Sequence, residues 1–185
     1  MTRNQKGFTL VEIAIVLVII GLLIGGVLKG QAMIQNAKVK RVVKSADELR
    51  AAVYTFYDKY GVYPGDELIA AIPPGDTHNG NGSGQIDAAE ADMLFEDLAI
   101  TDIISGNFDG DGVDSYPRHA FGDIYQVYWT NRPGRTDHFI RYDNLPSDVA
   151  LEIDTKYDDG VWNTGSITAN VDYTSVVIGQ FFMPL

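Results

Sequence analysis

The chain has 185 residues, with 14 Lys and Arg against 25 Asp and Glu, and a formal charge of −11. That length supports one ordinary domain or a smaller domain with an appendage, and 45 % apolar residues exclude wholesale disorder. The acid excess argues against general nucleic-acid binding, and the absence of cysteine removes disulfides, thiolate nucleophiles and Cys-based zinc sites.

The first predicted element starts almost at once. Residues 1–6 are polar and include Arg3 and Lys6, whereas residues 8–28 form a run of 21 whose only charge is Glu12. As a helix such a run measures about 31 Å, close to the roughly 30 Å hydrocarbon core of a bilayer. It is long enough to cross a membrane once. It is also longer than the apolar core of a secretory signal, and no convincing small-x-small cleavage site follows it. A plain anchor would explain the length but not Glu12, because an ionised side chain deep in the apolar phase costs about 2.5–3.5 kcal/mol. Near the end of a span the carboxylate can escape by reaching the interface. Arg3 and Lys6 on one side, and Lys29, Lys38, Lys40, Arg41 and Lys44 on the other, leave the topology open on charge alone.

The segment Gly7-Phe8-Thr9-Leu10-Val11-Glu12, followed by its unbroken apolar run, resembles the N-terminal signal of type IV pilins and type II secretion pseudopilins. The resemblance covers roughly residues 3–30. It implies cleavage by a prepilin peptidase between Gly7 and Phe8, and N-methylation of the new amino terminus. It also implies that Glu12 pairs with the terminal amine of a neighbouring subunit during fibre assembly. A leader of residues 1–7 in the cytoplasm would precede a single pass of the bacterial inner membrane, with the remainder periplasmic. The implied partners are the peptidase, an inner-membrane platform protein, and copies of the chain or related subunits. The physical chemistry supports the role of Glu12, since a lone carboxylate among packed apolar helices is unfavourable until an opposite charge arrives.

No proline occurs before Pro64, so nothing forces the helix to stop earlier. Val39, Val42, Ala46, Leu49, Val53, Phe56 and Tyr60 are spaced 3, 4, 3, 4, 3, 4 and predict one apolar helical stripe. Residues 8–30 are therefore expected to form a transmembrane or fibre-core helix, and residues 31–60 an amphipathic continuation packed on the head. Gly21-x-x-x-Gly25 and Gly26-x-x-x-Gly30 would permit close helix approach, or else soften the helix locally. Many pilins carry a proline in this part of the helix, and this chain does not. The basic cluster Lys38, Lys40, Arg41 and Lys44 is read as a solvated face, with Lys44 and Glu48 placed for an i,i+4 pair.

All seven prolines and 14 of the 19 glycines follow Tyr60. Tyr63-Pro64-Gly65-Asp66 is a turn that ends the long helix, and residues 56–66 resemble a subgroup of prepilin-like proteins with a YPGD element. Laid on an EF-hand loop, residues 79–90 offer oxygen donors from Asn79, Asn81, Ser83, Gln85, Asp87 and Glu90, with Gly84 at the sharp turn. Calcium, a hard cation seeking six to eight oxygens, is the expected ligand. Asn79, Asn81 and Ser83 stand where acids are usual, so binding would be weak. Asp87 and Glu90 also fit a helix N-cap and its third residue. Asp109, Asp111 and Asp114 form a second acidic loop, for which a cation and a solvated turn are equally good readings. Asp154, Asp158 and Asp159 are assigned no metal.

Between these loops, residues 87–104 are predicted helical. Strands are predicted over residues 124–130, 138–142, 166–171 and 175–182, with a turn at Asn131-Arg132-Pro133-Gly134. The expected fold is α+β, a pilin fold whose long N-terminal helix packs on an antiparallel sheet in an acidic head of residues 61–185. Catalysis has little support: His78, His119 and His138 are scattered, and neither a nucleophile elbow nor a phosphate-binding Gly-x-x-x-x-Gly-Lys occurs. A fibre subunit is the first functional reading, and a minor pilin or tip adhesin mounted on such a fibre is the second. Without cysteine, a cation is the available brace for the head, which by resemblance favours the type II secretion side.

Overall fold

The computed structural model describes residue 7, residues 9–69 and residues 72–185. The chain divides into two compact units, Met1–Lys38 and Val39–Leu185. A single helix, α1 (Leu10–Tyr60), contributes to both.

In the second unit α1 buries Val39, Val42, Ser45, Ala46, Leu49, Ala52, Val53 and Phe56. Six of the seven residues of the predicted stripe are in that set, and Tyr60 is partly buried beside it. Lys59 in the last turn suits the negative end of the helix dipole. Gly61 then takes the left-handed conformation (φ +75°) and its N–H donates to the Tyr57 carbonyl at 2.8 Å, a glycine C-cap. The Tyr63-Pro64-Gly65-Asp66 turn follows, closed by Asp66 N to Tyr63 O at 3.2 Å.

Among the described residues the strands β1 (Tyr125–Arg132), β2 (Arg135–Pro146), β3 (Thr168–Ala169) and β4 (Val177–Pro184) form one sheet. Its order is β1-β2-β4-β3 and every pairing is antiparallel. Pro133-Gly134 joins β1 to β2, with Arg132 paired to Arg135 and Gly134 at φ +80° as that tight turn requires. The register aligns Val127, Ile140 and Met183 across three strands, and beside them Tyr125, Tyr142 and Phe181. Most of these side chains join the α1 stripe in one core, with Tyr125 half-buried at its margin. Tyr142, fully buried, lies 3.0 Å from the Ser45 hydroxyl and donates to the Val42 carbonyl at 3.1 Å. Its hydroxyl is thereby satisfied at the seam between helix and sheet. Arg50 reaches from α1 to the Pro184 carbonyl at 2.6 and 2.9 Å.

Two short helices complete the unit: α2 (Met93–Ile100) and α3 (Ser147–Tyr157). The predicted helix over residues 87–104 is thus shorter than expected. Asp92 accepts from Met93 N and starts the helix there, while residues 87–92 form turns closed by Glu90 N to Asp87 O at 3.0 Å. At the other end Thr101 turns its hydroxyl onto the Asp97 carbonyl and Asp102 is left-handed. The strand expected over residues 166–171 shrinks to two residues for a similar reason, because Ser166 and Ile167 give their N–H groups to Asp158 instead of a ladder. This architecture is the α+β fold expected from the sequence, a long N-terminal helix and a C-terminal antiparallel sheet.

Candidate functional site

The first unit is dominated by apolar surface. The large apolar side chains from Leu10 to Ile34 on α1 are all exposed, between 45 % and 87 %. No residue of the most apolar 18-residue stretch is buried, and the helix is long and apolar enough to cross a membrane. Exposed apolar surface on this scale marks a site of contact with lipid or protein. A Cβ added at Gly21, Gly25, Gly26 or Gly30 would meet nothing within 4 Å, so this chain's own packing does not require glycine there.

Glu12 sits in the first turn of α1 and is held by Thr9. Thr9 N and Thr9 Oγ1 both donate to Glu12 Oε2 at 2.8 Å, and Glu12 N donates back to Thr9 Oγ1 at 3.2 Å. Ile13 N reaches Thr9 O at 3.3 Å. This is a reciprocal capping box, with Thr9 as the cap and Glu12 as the third helical residue. The Thr-x-x-Glu spacing carries that motif openly, though the apolar run beyond it draws the eye first. Gly7 is exposed just ahead of it, whereas Phe8 and the residues 1–6 of the expected leader lie outside the described residues.

The loop of residues 79–90 is organised by carboxylates that hold backbone N–H groups. Glu90, buried, accepts Asn81 N at 2.7 Å and Asp87 N at 2.8 Å. Asp87 accepts the Asn81 side-chain amide at 2.7 Å, Asn81 accepts Ser83 N, and Ser83 Oγ accepts Gln85 N. Asn79 is exposed and Gln85 half-buried. Burial raises the Glu90 carboxyl above its usual range, against the hydrogen bonds that lower it. Of the oxygens expected to ligate calcium, those of Asn81, Ser83, Asp87 and Glu90 thus accept hydrogen bonds within the loop. Its central anchor is a residue first read only as a turn: Asp66 accepts Ser83 N and Gly84 N, both at 2.8 Å, and its carbonyl accepts Gly82 N. Gly80 lies so close to this turn that a Cβ would come 2.3 Å from the Gly65 carbonyl.

Ile86 pins the loop to the sheet. Its N–H donates to His138 Nε2 at 2.9 Å and its carbonyl accepts Trp129 N at 2.6 Å. His138 is buried and held below the usual histidine range by that burial, which keeps Nε2 free of a proton and able to accept. The second acidic loop is a turn. Asp109 accepts the Ser115 hydroxyl at 2.5 Å and is lowered mainly by that bond, Asp111 N donates to Ser115 Oγ, and Gly112 N donates to Asp92. Asp109, Asp111 and Asp114 are all exposed.

Comparison with known proteins places one match inside the first unit. Residues 2–28 match the family model of the prokaryotic N-terminal methylation motif. The type IV major pilin protein PilE of Neisseria gonorrhoeae is 34 % identical over 73 residues, covering 39 % of this chain and 44 % of that protein. A fimbrial protein of Neisseria meningitidis serogroup B is 34 % identical over 73 residues, with 39 % and 43 % covered. The fimbrial protein EcpC of Eikenella corrodens is 36 % identical over 73 residues, with 39 % and 48 % covered. The matched stretch spans less than half the length of each of these relatives. The matches support a place in the type IV pilin family.

Proposed function

We propose that this chain, which carries the methylation motif and the α+β fold of the type IV pilin family, is a structural subunit of a type IV pilus-like fibre. The observation that carries the reading is the match of residues 2–28 to that motif, on a helix whose apolar side chains are all exposed. A prepilin peptidase cleaves between Gly7 and Phe8, and the new amine of Phe8 is methylated. The helix then holds the subunit in the inner membrane until a platform protein passes it into the fibre. There its apolar surface packs against other subunits, and Glu12 meets the amine of a neighbour. The glycines at 21, 25, 26 and 30 let those helices approach closely. Calcium belongs to the same reading as a stabiliser of the acidic unit, where 21 acidic residues face five basic ones after residue 60.

Mass spectrometry of the chain purified from cells that contain the peptidase tests the processing step. A mature chain starting at N-methylated Phe8 is expected, and one still carrying residues 1–7 overturns the reading. A type II secretion pseudopilus is the second reading, favoured by the absence of cysteine, since no disulfide can brace the C-terminal region. Loss of exoprotein secretion, with surface fibres intact in a deletion strain, would select it.

A further inference from the structure

Three carboxylates that belong to neither predicted metal loop converge beside the Tyr63-Pro64-Gly65-Asp66 turn. Glu67, Asp76 and Asp97 each offer an oxygen within 4.8 Å of the other two. Asp97 is completely buried and Glu67 is 1 % exposed. Asp97 Oδ2 accepts Gly65 N at 2.6 Å, and Asp76 Oδ1 accepts His78 N at 3.0 Å. The remaining oxygens, both of Glu67, Oδ1 of Asp97 and Oδ2 of Asp76, are buried and lack a well-aligned donor, although the Gly65 and Glu67 N–H groups lie near Glu67 and the Glu67 and Asp97 carboxyls approach each other. The neighbouring histidine is engaged by another acid: His78 Nδ1 lies 2.7 Å from Glu96 Oε2.

An acidic cluster on its own needs no ligand, and this chain contains the control. Asp154, Asp158 and Asp159 approach one another as closely. Their oxygens, however, accept Tyr173 OH, Gly160 N, Ser166 N, Ile167 N, Val161 N and the Thr164 hydroxyl. That group is explained by hydrogen bonds. The cluster at Glu67 is not, and leaving several carboxylate oxygens buried without a donor or a cation is costly. Burial drives all three of its acids above their usual range, Asp97 to about 9 with further contributions from Glu67.

We propose that Glu67, Asp76 and Asp97 form a calcium site that ties the segment following α1 to α2. Two oxygens bound to one calcium at 2.3–2.6 Å lie no more than about 5 Å apart, which the observed 4.8 Å limit satisfies. Donors that are all oxygen select a hard cation over zinc. Three carboxylates from three separate segments suit calcium's irregular, flexible coordination better than the near-octahedral, water-rich shell of magnesium. A cleft of about 310 Å³, bordered by Tyr63, Asp66, Glu67 and Ile72, lies beside Glu67. The site is distinct from residues 79–90, where Asn81, Ser83, Asp87 and Glu90 accept N–H groups. It stands equally for a pilus or a pseudopilus subunit.

The test uses the full chain in detergent, stripped of metal at pH 7, titrated with calcium chloride by calorimetry and melted with and without the salt. One calcium per chain and a raised melting temperature are expected. Glu67→Gln and Asp97→Asn should each abolish both effects, yet melt no lower than the metal-free wild type, since each replaces an acid whose charged form burial disfavours and keeps the shape. Asp87→Asn, in the 79–90 loop, should keep both. A wild-type chain that takes up no calcium overturns the proposal, the three acids then being neutralised by protons. A calcium response that survives Glu67→Gln and Asp97→Asn but is lost in Asp87→Asn overturns it too, by placing the ion in the other loop.

Discussion

Glu12 has two relationships, one inside its own chain and one with whatever it meets in a fibre, and substitutions can separate them. Thr9→Ala removes the cap and should weaken the first turn of α1 by about 1 kcal/mol while keeping the charge. Glu12→Gln keeps an acceptor for Thr9 but loses the charge. On the fibre reading it should insert into the membrane normally and abolish fibres, as read by immunoblots of the membrane and sheared fractions. Fibres at wild-type yield would show that the charge is dispensable. Gly80 has a single requirement, space. Gly80→Ala drives a methyl into the Gly65 carbonyl and should lower stability by about 1–3 kcal/mol in a denaturant melt. His138 supplies a pH effect of definite sign. Its folded pKa lies below the usual 6.5 because of burial, so the unfolded chain binds the proton first. The stability owed to neutral His138 is whole above about pH 6.5 and is lost as pH falls below it. His78 runs the other way: pairing with Glu96 raises its pKa, so its contribution is present at low pH and fades as pH rises. Melting wild type and His138→Gln side by side from pH 7.5 to 5 isolates the first effect, and the variant should fall less. Most of these residue-level roles were hidden in the sequence. The Thr9-x-x-Glu12 box was legible from its spacing, but that His138 serves Ile86, 52 residues away, is knowable only once β1 and β2 are paired.

The elements were legible in proportion to the length of their pattern. The 3-4 spacing from Val39 to Phe56 identifies both the helix and its buried face, because six positions in that pattern leave one solution. Phe56, fully buried with its ring centre 4.6 Å from that of Tyr60, anchors that face. Phe56→Ala should cost about 3–5 kcal/mol in a chemical melt, with the transition remaining cooperative. The α2 region has eight helical residues between competing side-chain bonds, and periodicity alone overestimates it. Glu90, Asp92 and Thr101 each offer the backbone an alternative to the helix, and three such offers outweigh a weak apolar period. Strand β3 shows the same competition, with Asp158 taking the N–H groups just before it. The β1–β2 hairpin was legible from its Pro-Gly turn, though β2 continues past residue 142 to Pro146, where Leu145 pairs with Ile178.

For the whole molecule the average charge of −11 conceals a division along the chain. Residues 8–60 carry seven basic and four acidic side chains, while residues 61–185 carry five basic and 21 acidic. That division was legible from composition. What the acids do was not, because an Asp that receives backbone N–H groups and one that lacks any donor look alike in a sequence. Asp66 and Asp97 are the instance: both converge on one turn, one filled with donors and the other left with a bare oxygen. The capping box at Thr9 bears on supply as well as on structure. On the fibre reading, newly made subunits wait in the bilayer before assembly, each with a carboxylate that hydrocarbon would penalise. Thr9 gives that carboxylate two donors from its own chain in the meantime. On the fibre reading, unassembled subunits can then accumulate in the membrane ahead of demand.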